Sequence, residues 1–151
     1  MIIRAGAVEA QQVQGSMPRR EAKLGLAGGL KAFGANVVTL QPGEQSSDRH
    51  WHTHSDEFLY VLEGAPTVVE EDSAIELSPG DCCCWPAGVP NGHTVLNRSD
   101  APVIYLVVGS KPGVDTVRYP DSNRTLHHQP PRWWIVTDDG RLLAEGSTED
   151  D

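Results

Sequence analysis

"RHWHTHSDEFLYVLEG", residues 49–64, places histidines at 50, 52 and 54 and follows them with Glu57 at the head of an apolar run. On a β-strand, residues two apart share a face at a separation of about 6.6–6.8 Å, so two such imidazoles can converge on one ion. Both "HWH" (50–52) and "HTH" (52–54) satisfy that spacing. Glu57, entering on the adjoining strand, can add a carboxylate ligand. A further imidazole is available at His93, which opens "HTVL" after the turn-rich "PAGVPNG".

Outward from this stretch the chain keeps one rhythm. Short apolar runs are interrupted at close intervals by Pro, Gly, Asn and Asp, the mark of many short strands rather than amphipathic helices. Strands are expected at 36–41, 49–53, 57–62, 67–71, 74–77, 82–85, 93–96 and 103–108, with a last hairpin over 133–144 turning at an Asp-Gly pair. Residues 14–30 read as an irregular lead-in, 109–132 as a long surface connection, and 145–151 as a disordered acidic tail. Strands this numerous and closely spaced imply an all-β domain spanning 1–144, a double-sheet jelly roll or small barrel with room for one internal ligand site.

Composition narrows the partners. Twelve Lys and Arg stand against 21 Asp and Glu, a formal charge of −9 that repels phosphate backbones and anionic lipid surfaces. Neither nucleic acid nor a membrane is expected as a partner. The opening "MIIRAGAVEAQQVQG" has no basic start followed by an apolar run, and a cytoplasmic protein is the expectation. The consecutive Cys82, Cys83 and Cys84 suit neither a disulfide nor paired zinc ligation; they read as small apolar fillers on a strand.

Ten positions carry a resemblance to a known family. Gly43, His50, His52, Glu57 and Gly64 follow the first motif of the cupin superfamily, with four residues between His52 and Glu57 and six between Glu57 and Gly64. Gly80, Pro86, Gly88, His93 and Asn97 follow the second, fifteen residues after the first ends. Two gaps run long, six residues from Gly43 to His50 and four from Gly88 to His93, and both fall in turns. The resemblance implies a double-stranded β-helix with a barrel core at about 36–108. It also selects among the histidines, because pairing His52 with His54 leaves only two residues before Glu57. The implied metal ligands are His50, His52, Glu57 and His93, and His54 becomes a solvent-facing turn residue.

A set of nitrogen and oxygen ligands without thiolate suits one divalent ion, Fe, Mn, Ni, Zn or Cu, and leaves positions open for a small molecule. The expectation is a metal-dependent enzyme of isomerase, lyase or dioxygenase type acting on a sugar, sugar phosphate or carboxylic acid, with Glu57 doubling as a proton acceptor. The alternative is a non-catalytic binding or sensor module. Family likeness and the apolar "VIYLVV" (103–108) also imply a homodimer. Trp51 lies on the face opposite His50 and His52, Trp133 and Trp134 read as packing residues, His127 and His128 as solvated, and Asn97 as a turn-fixing residue.

Overall fold

The computed structural model describes residues 1–13 and 17–147. In chain order its elements are β1 (Gln11–Val13), β2 (Arg19–Ala22), the one-turn helix α1 (Leu24–Ala27), β3 (Phe33–Leu40), β4 (Trp51–His52), β5 (Glu57–Glu63), β6 (Thr67–Val69) and β7 (Ala74–Glu76). They continue with β8 (Cys82–Trp85), β9 (Thr94–Leu96), β10 (Val103–Ser110), β11 (Asp115–Tyr119), β12 (Arg124–Gln129), β13 (Arg132–Thr137) and β14 (Leu142–Ser147). Three antiparallel sheets result, ordered β1-β2-β3-β10-β5-β8, β14-β13-β12-β11-β4 and β7-β6-β9. This is the all-β jelly roll that the strand rhythm implied. Among the described residues, no helix is long and apolar enough to cross a membrane.

Alternation sorts the central strands. Val38 and Leu40 of β3, Leu59 and Val61 of β5, and Val103 and Tyr105 of β10 all point inward, each at most 2% exposed. With Val68, Trp85 and Val95 they form one core cluster. Register keeps the pattern consistent: Val103 pairs with Leu40 and Tyr105 with Val38 and Val61, so inward residues meet inward residues across both ladders.

Turn chemistry sets where the strands reverse. Gly64 takes φ +80°, and a Cβ there would lie 2.6 Å from the Pro102 carbonyl oxygen, so both conformation and space demand glycine. Asn97 is buried, donates through Nδ2 to the carbonyls of Leu40 and Ala101, and accepts at Oδ1 from the Ser99 amide and hydroxyl. It fixes the 97–101 turn, as its motif position suggested.

Five sequence expectations require correction. Residues 109–132 are not a surface connection: they contain β11 and β12, joined by a 3₁₀ turn at Pro120–Ser122 and a left-handed Asn123. Their polar composition suggested loop, but Asp115 and Thr125 are buried polar residues whose hydrogen bonds are made inside the fold. His127 and His128 therefore lie half-buried on β12 rather than solvated, His127 stacking on Trp134 with centroids 5.1 Å apart. The lead-in at 14–30 contains β2 and α1, while residues 14–16 lie outside the described residues. Strand β14 runs three residues into the stretch read as tail, ending at Ser147; residues 148–151 are outside the described residues. Of the three cysteines only Cys83 is a filler, its burial pushing the thiol up to about 11, whereas Cys82 and Cys84 are exposed.

Candidate metal centre

The residues from Ser47 to Glu57 reach the barrel interior through a short, heavily tied segment. His50 and His93 form an antiparallel bridge with reciprocal amide bonds of 3.1 and 2.9 Å, which sets both imidazoles on one face. β4 holds His52 opposite Val117 of β11, and β5 begins at Glu57. The ring centroids of His50 lie 5.1 Å from His52 and 5.0 Å from His93. Ligand atoms of His50, His52 and Glu57 all fall within 4.8 Å of one another. Glu57 Oε2 is 2.8 Å from His93 Nε2 and 3.7 Å from His52 Nε2.

Each imidazole is oriented through its other nitrogen. His50 Nδ1 lies 2.8 Å from the Asp48 carbonyl oxygen, His52 Nδ1 is 2.7 Å from Asp115 Oδ2, and His93 Nδ1 is 3.3 Å from the Asn91 carbonyl oxygen. An N–H at Nδ1 that donates to oxygen leaves Nε2 with the lone pair that binds metals. His93 adds a more specific sign. It meets an oxygen acceptor at both ends, Asn91 and Glu57, yet a neutral imidazole has only one N–H to give. A cation shared by Nε2 and the carboxylate removes that conflict, so the donor set fits a divalent ion.

Electrostatics favour the ligand forms of His50 and Glu57. Burial lowers His50 from its ordinary value to about 4, outweighing the Asp48 carbonyl bond and the Glu57 charge that favour a proton. Burial alone would raise the Glu57 carboxyl, but the His93 hydrogen bond and the neighbouring imidazoles bring it below the ordinary range. An unfolded chain takes a proton on His50 near pH 6.5, whereas the folded chain does so only near 4. Between these values the unfolded state binds more protons, so stability falls with falling pH, by about 3 kcal/mol from this group. Lowered Glu57 acts in the same direction, its contribution disappearing as pH drops through its folded value. Metal-free protein is therefore expected to lose melting temperature steadily from pH 7 to pH 4, and a flat profile in thermal scans would contradict the buried neutral His50.

The sequence reading placed His50, His52, Glu57 and His93 together; the fold sets His52 beside His50 and Glu57, while His50, Glu57 and His93 line one cavity. His54 stays apart, its side chain 60% exposed. Trp51 sits opposite Arg118 on the far face of β4. Three contributors were not legible. Asp115 orients His52 and also accepts the amides of His54 and Thr116. Trp85 stacks on His93 at 3.7 Å with planes 7° apart, and its Nε1 donates to Glu70. Arg124 pairs with Asp48 and lies 4.4 Å over the Tyr119 ring, bracing the segment that carries His50. The alternation of "VDTVRY" (114–119) was the available signal for β11, obscured by its charged residues.

The cavity beside the cluster holds about 200 Å³ and is lined by His50, Glu57, His93, Trp85 and Tyr105, among others. At about 30 Å³ per water, it has room for some six or seven waters, or one small metabolite. A cupin jelly roll with a histidine and carboxylate pocket is the class that fold and site define. The cupin domain family model matches residues 36–109, and the chain belongs to the cupin superfamily.

Among solved structures, the chain is similar to a sugar phosphate isomerase of the cupin superfamily from Silicibacter pomeroyi DSS-3, at 36% identity over 95% of this chain and 97% of that one, TM-score 0.88. It is also similar to a provisionally named sugar phosphate isomerase of Acidithiobacillus ferrooxidans, at 26% identity over 95% and 96%, TM-score 0.86. A polyketide cyclase of Streptomyces resistomycificus shares the fold, at 22% identity over 80% and 86%, TM-score 0.62. No functionally curated protein matches.

Proposed function

We propose that this cupin is a metal-dependent enzyme acting on a small polar or anionic metabolite, with isomerase chemistry on a sugar phosphate as the leading class. The observation that carries the metal reading is His93, whose two ring nitrogens both face oxygen acceptors within a cluster of inward imidazoles. His50, His52, Glu57 and His93 would hold one divalent ion. Bound there, such an ion supplies a Lewis acid that polarises a carbonyl or stabilises a developing enediolate.

The chain's own residues supply the remaining functions. Trp85 and the Val38, Leu59 and Val95 side chains limit water around the cluster, while Glu57, kept ionised, can take a proton at Oε2 from a substrate carbon or hydroxyl. The substrate class draws support from the two sugar phosphate isomerase structures, which align over nearly the whole chain. The reading includes a homodimer through the outer face of the β3-β10-β5 sheet, where Phe33, Tyr60 and Leu62 are exposed. A monomer in sedimentation at micromolar concentration removes that part alone.

The test is a turnover screen. Protein loaded separately with Mn(II), Fe(II) and Zn(II) is incubated with a panel of aldose and ketose phosphates, and products are followed by mass and NMR. Interconversion of an aldose and ketose phosphate by one metal form is expected. Thermal stabilisation by a panel member without consumption would replace the enzyme by a metal-assisted binding module.

A further inference from the structure

The same cavity has a wall from outside the residues that the family model matches. Strand β2 carries Arg19 and Glu21 on the face turned toward His50, Glu57, His93 and Tyr105, and both line the 200 Å³ space. Arg19 Nε donates to Glu21 Oε1 at 2.7 Å, with the two side chains 24% and 13% exposed. That bond uses only one guanidinium nitrogen. Among the described residues no partner is recorded for Nη1 or Nη2, and neither belongs to the buried side-chain atoms, all of which have partners. A guanidinium pinned through Nε presents its Nη1/Nη2 edge as a planar fork, the geometry that receives two oxygens of a carboxylate or phosphate.

Charge supports the same assignment. Arg19 is the only Lys or Arg lining this cavity among the described residues, against the carboxylates of Glu21 and Glu57. Those formal charges leave the wall alone net negative. A divalent ion on the cluster reverses this to a net positive site that one anionic group can neutralise.

We infer that Arg19, positioned by Glu21, is the anchor for an oxyanion group of the substrate and selects anionic over neutral molecules. This rests on the metal-dependent reading of the cluster and adds the residue that sets its substrate class. The cavity volume restricts the ligand to a compact molecule whose anionic end lies at β2 and whose other end reaches the histidines.

Calorimetric titration separates the two claims. Wild-type protein, Arg19→Gln and Arg19→Lys are titrated first with Mn(II), then with malonate, inorganic phosphate and neutral malonamide, each with and without chelator. All three proteins are expected to take Mn(II) equally. Arg19→Gln is expected to bind malonate or phosphate about 10- to 100-fold more weakly, the range for losing a charge-assisted hydrogen-bonded pair, with malonamide unaffected. Arg19→Lys should fall between, because it keeps the charge but loses the fork. The preferred anion in wild type distinguishes a carboxylate from a phosphate substrate.

Equal anion affinity in wild type and Arg19→Gln, or no anion binding by wild type in either metal state, overturns the anchor and leaves the metal centre standing. Wild-type protein that takes no Mn(II) overturns the metal reading, and the anion arms on that same protein still decide on Arg19. Melting curves check that each variant is folded.

Discussion

His52→Ala is expected to leave the protein folded and without its metal. The substitution removes one of the four proposed donor groups, and the loss in affinity should exceed the roughly 100-fold that losing a ligand's supporting hydrogen bond can cause. Metal content after gel filtration should drop from near one ion per chain to background, and turnover should vanish with it. The fold should tolerate the change because β4 is only two residues long and His52 lies outside the apolar core cluster. His54→Ala is the matched control, since its exposed imidazole bonds, among the described residues, to neighbouring Thr53 and lies 4.0 Å from Asp115. Metal retained by His52→Ala, or lost equally in the control, would refute the ligand assignment.

Asp115→Asn should produce the second large effect through a proton rather than a lost atom. Oδ1 of Asp115 already accepts the amides of His54 and Thr116, while Oδ2 faces His52 Nδ1 at 2.7 Å. An asparagine that preserves the two amide bonds must turn its NH₂ group toward His52. The imidazole then accepts at Nδ1 and carries its proton on Nε2, the tautomer that cannot ligate; the same change of tautomer disables a catalytic histidine when its aspartate becomes asparagine. Metal affinity is expected to fall about 10- to 100-fold, measured by competition with a chromophoric chelator. Unchanged affinity would mean that His52 is not oriented through Asp115. Asp115→Glu, which keeps a carboxylate, should recover part of the loss, and a purely structural role would not separate it from asparagine in this way.

Arg19 presents a different kind of dependence, because it sits on a strand outside the family core and acts on the ligand rather than on the ion. The three positions together test a proposed metal ligand, the residue that would set its tautomer, and the proposed anion anchor. Each division has its own readout: metal content, chelator competition and anion affinity.

Local pattern carried the eight central strands, the final hairpin and the jelly-roll class, and the motif resemblance singled out His50, His52, Glu57 and His93. These were legible because they depend on short-range physics: alternate residues on a strand share a face, glycines mark forced reversals, and motif spacing ties the ligands to known turns. Asp115, Trp85, Arg19 and Arg124 were decided only by the tertiary structure. Asp115 is 63 residues from the histidine it orients, and Arg124 is 76 from the aspartate it pairs with. No local period reports such contacts. The strands that bear Asp115, Arg19 and Arg124 read as loop or lead-in because they are rich in polar side chains, and a polar side chain is stable inside a barrel only through hydrogen-bond partners that the distant chain brings to it, whereas Trp85 lies on an expected strand and only its stacking on His93 had no local signal.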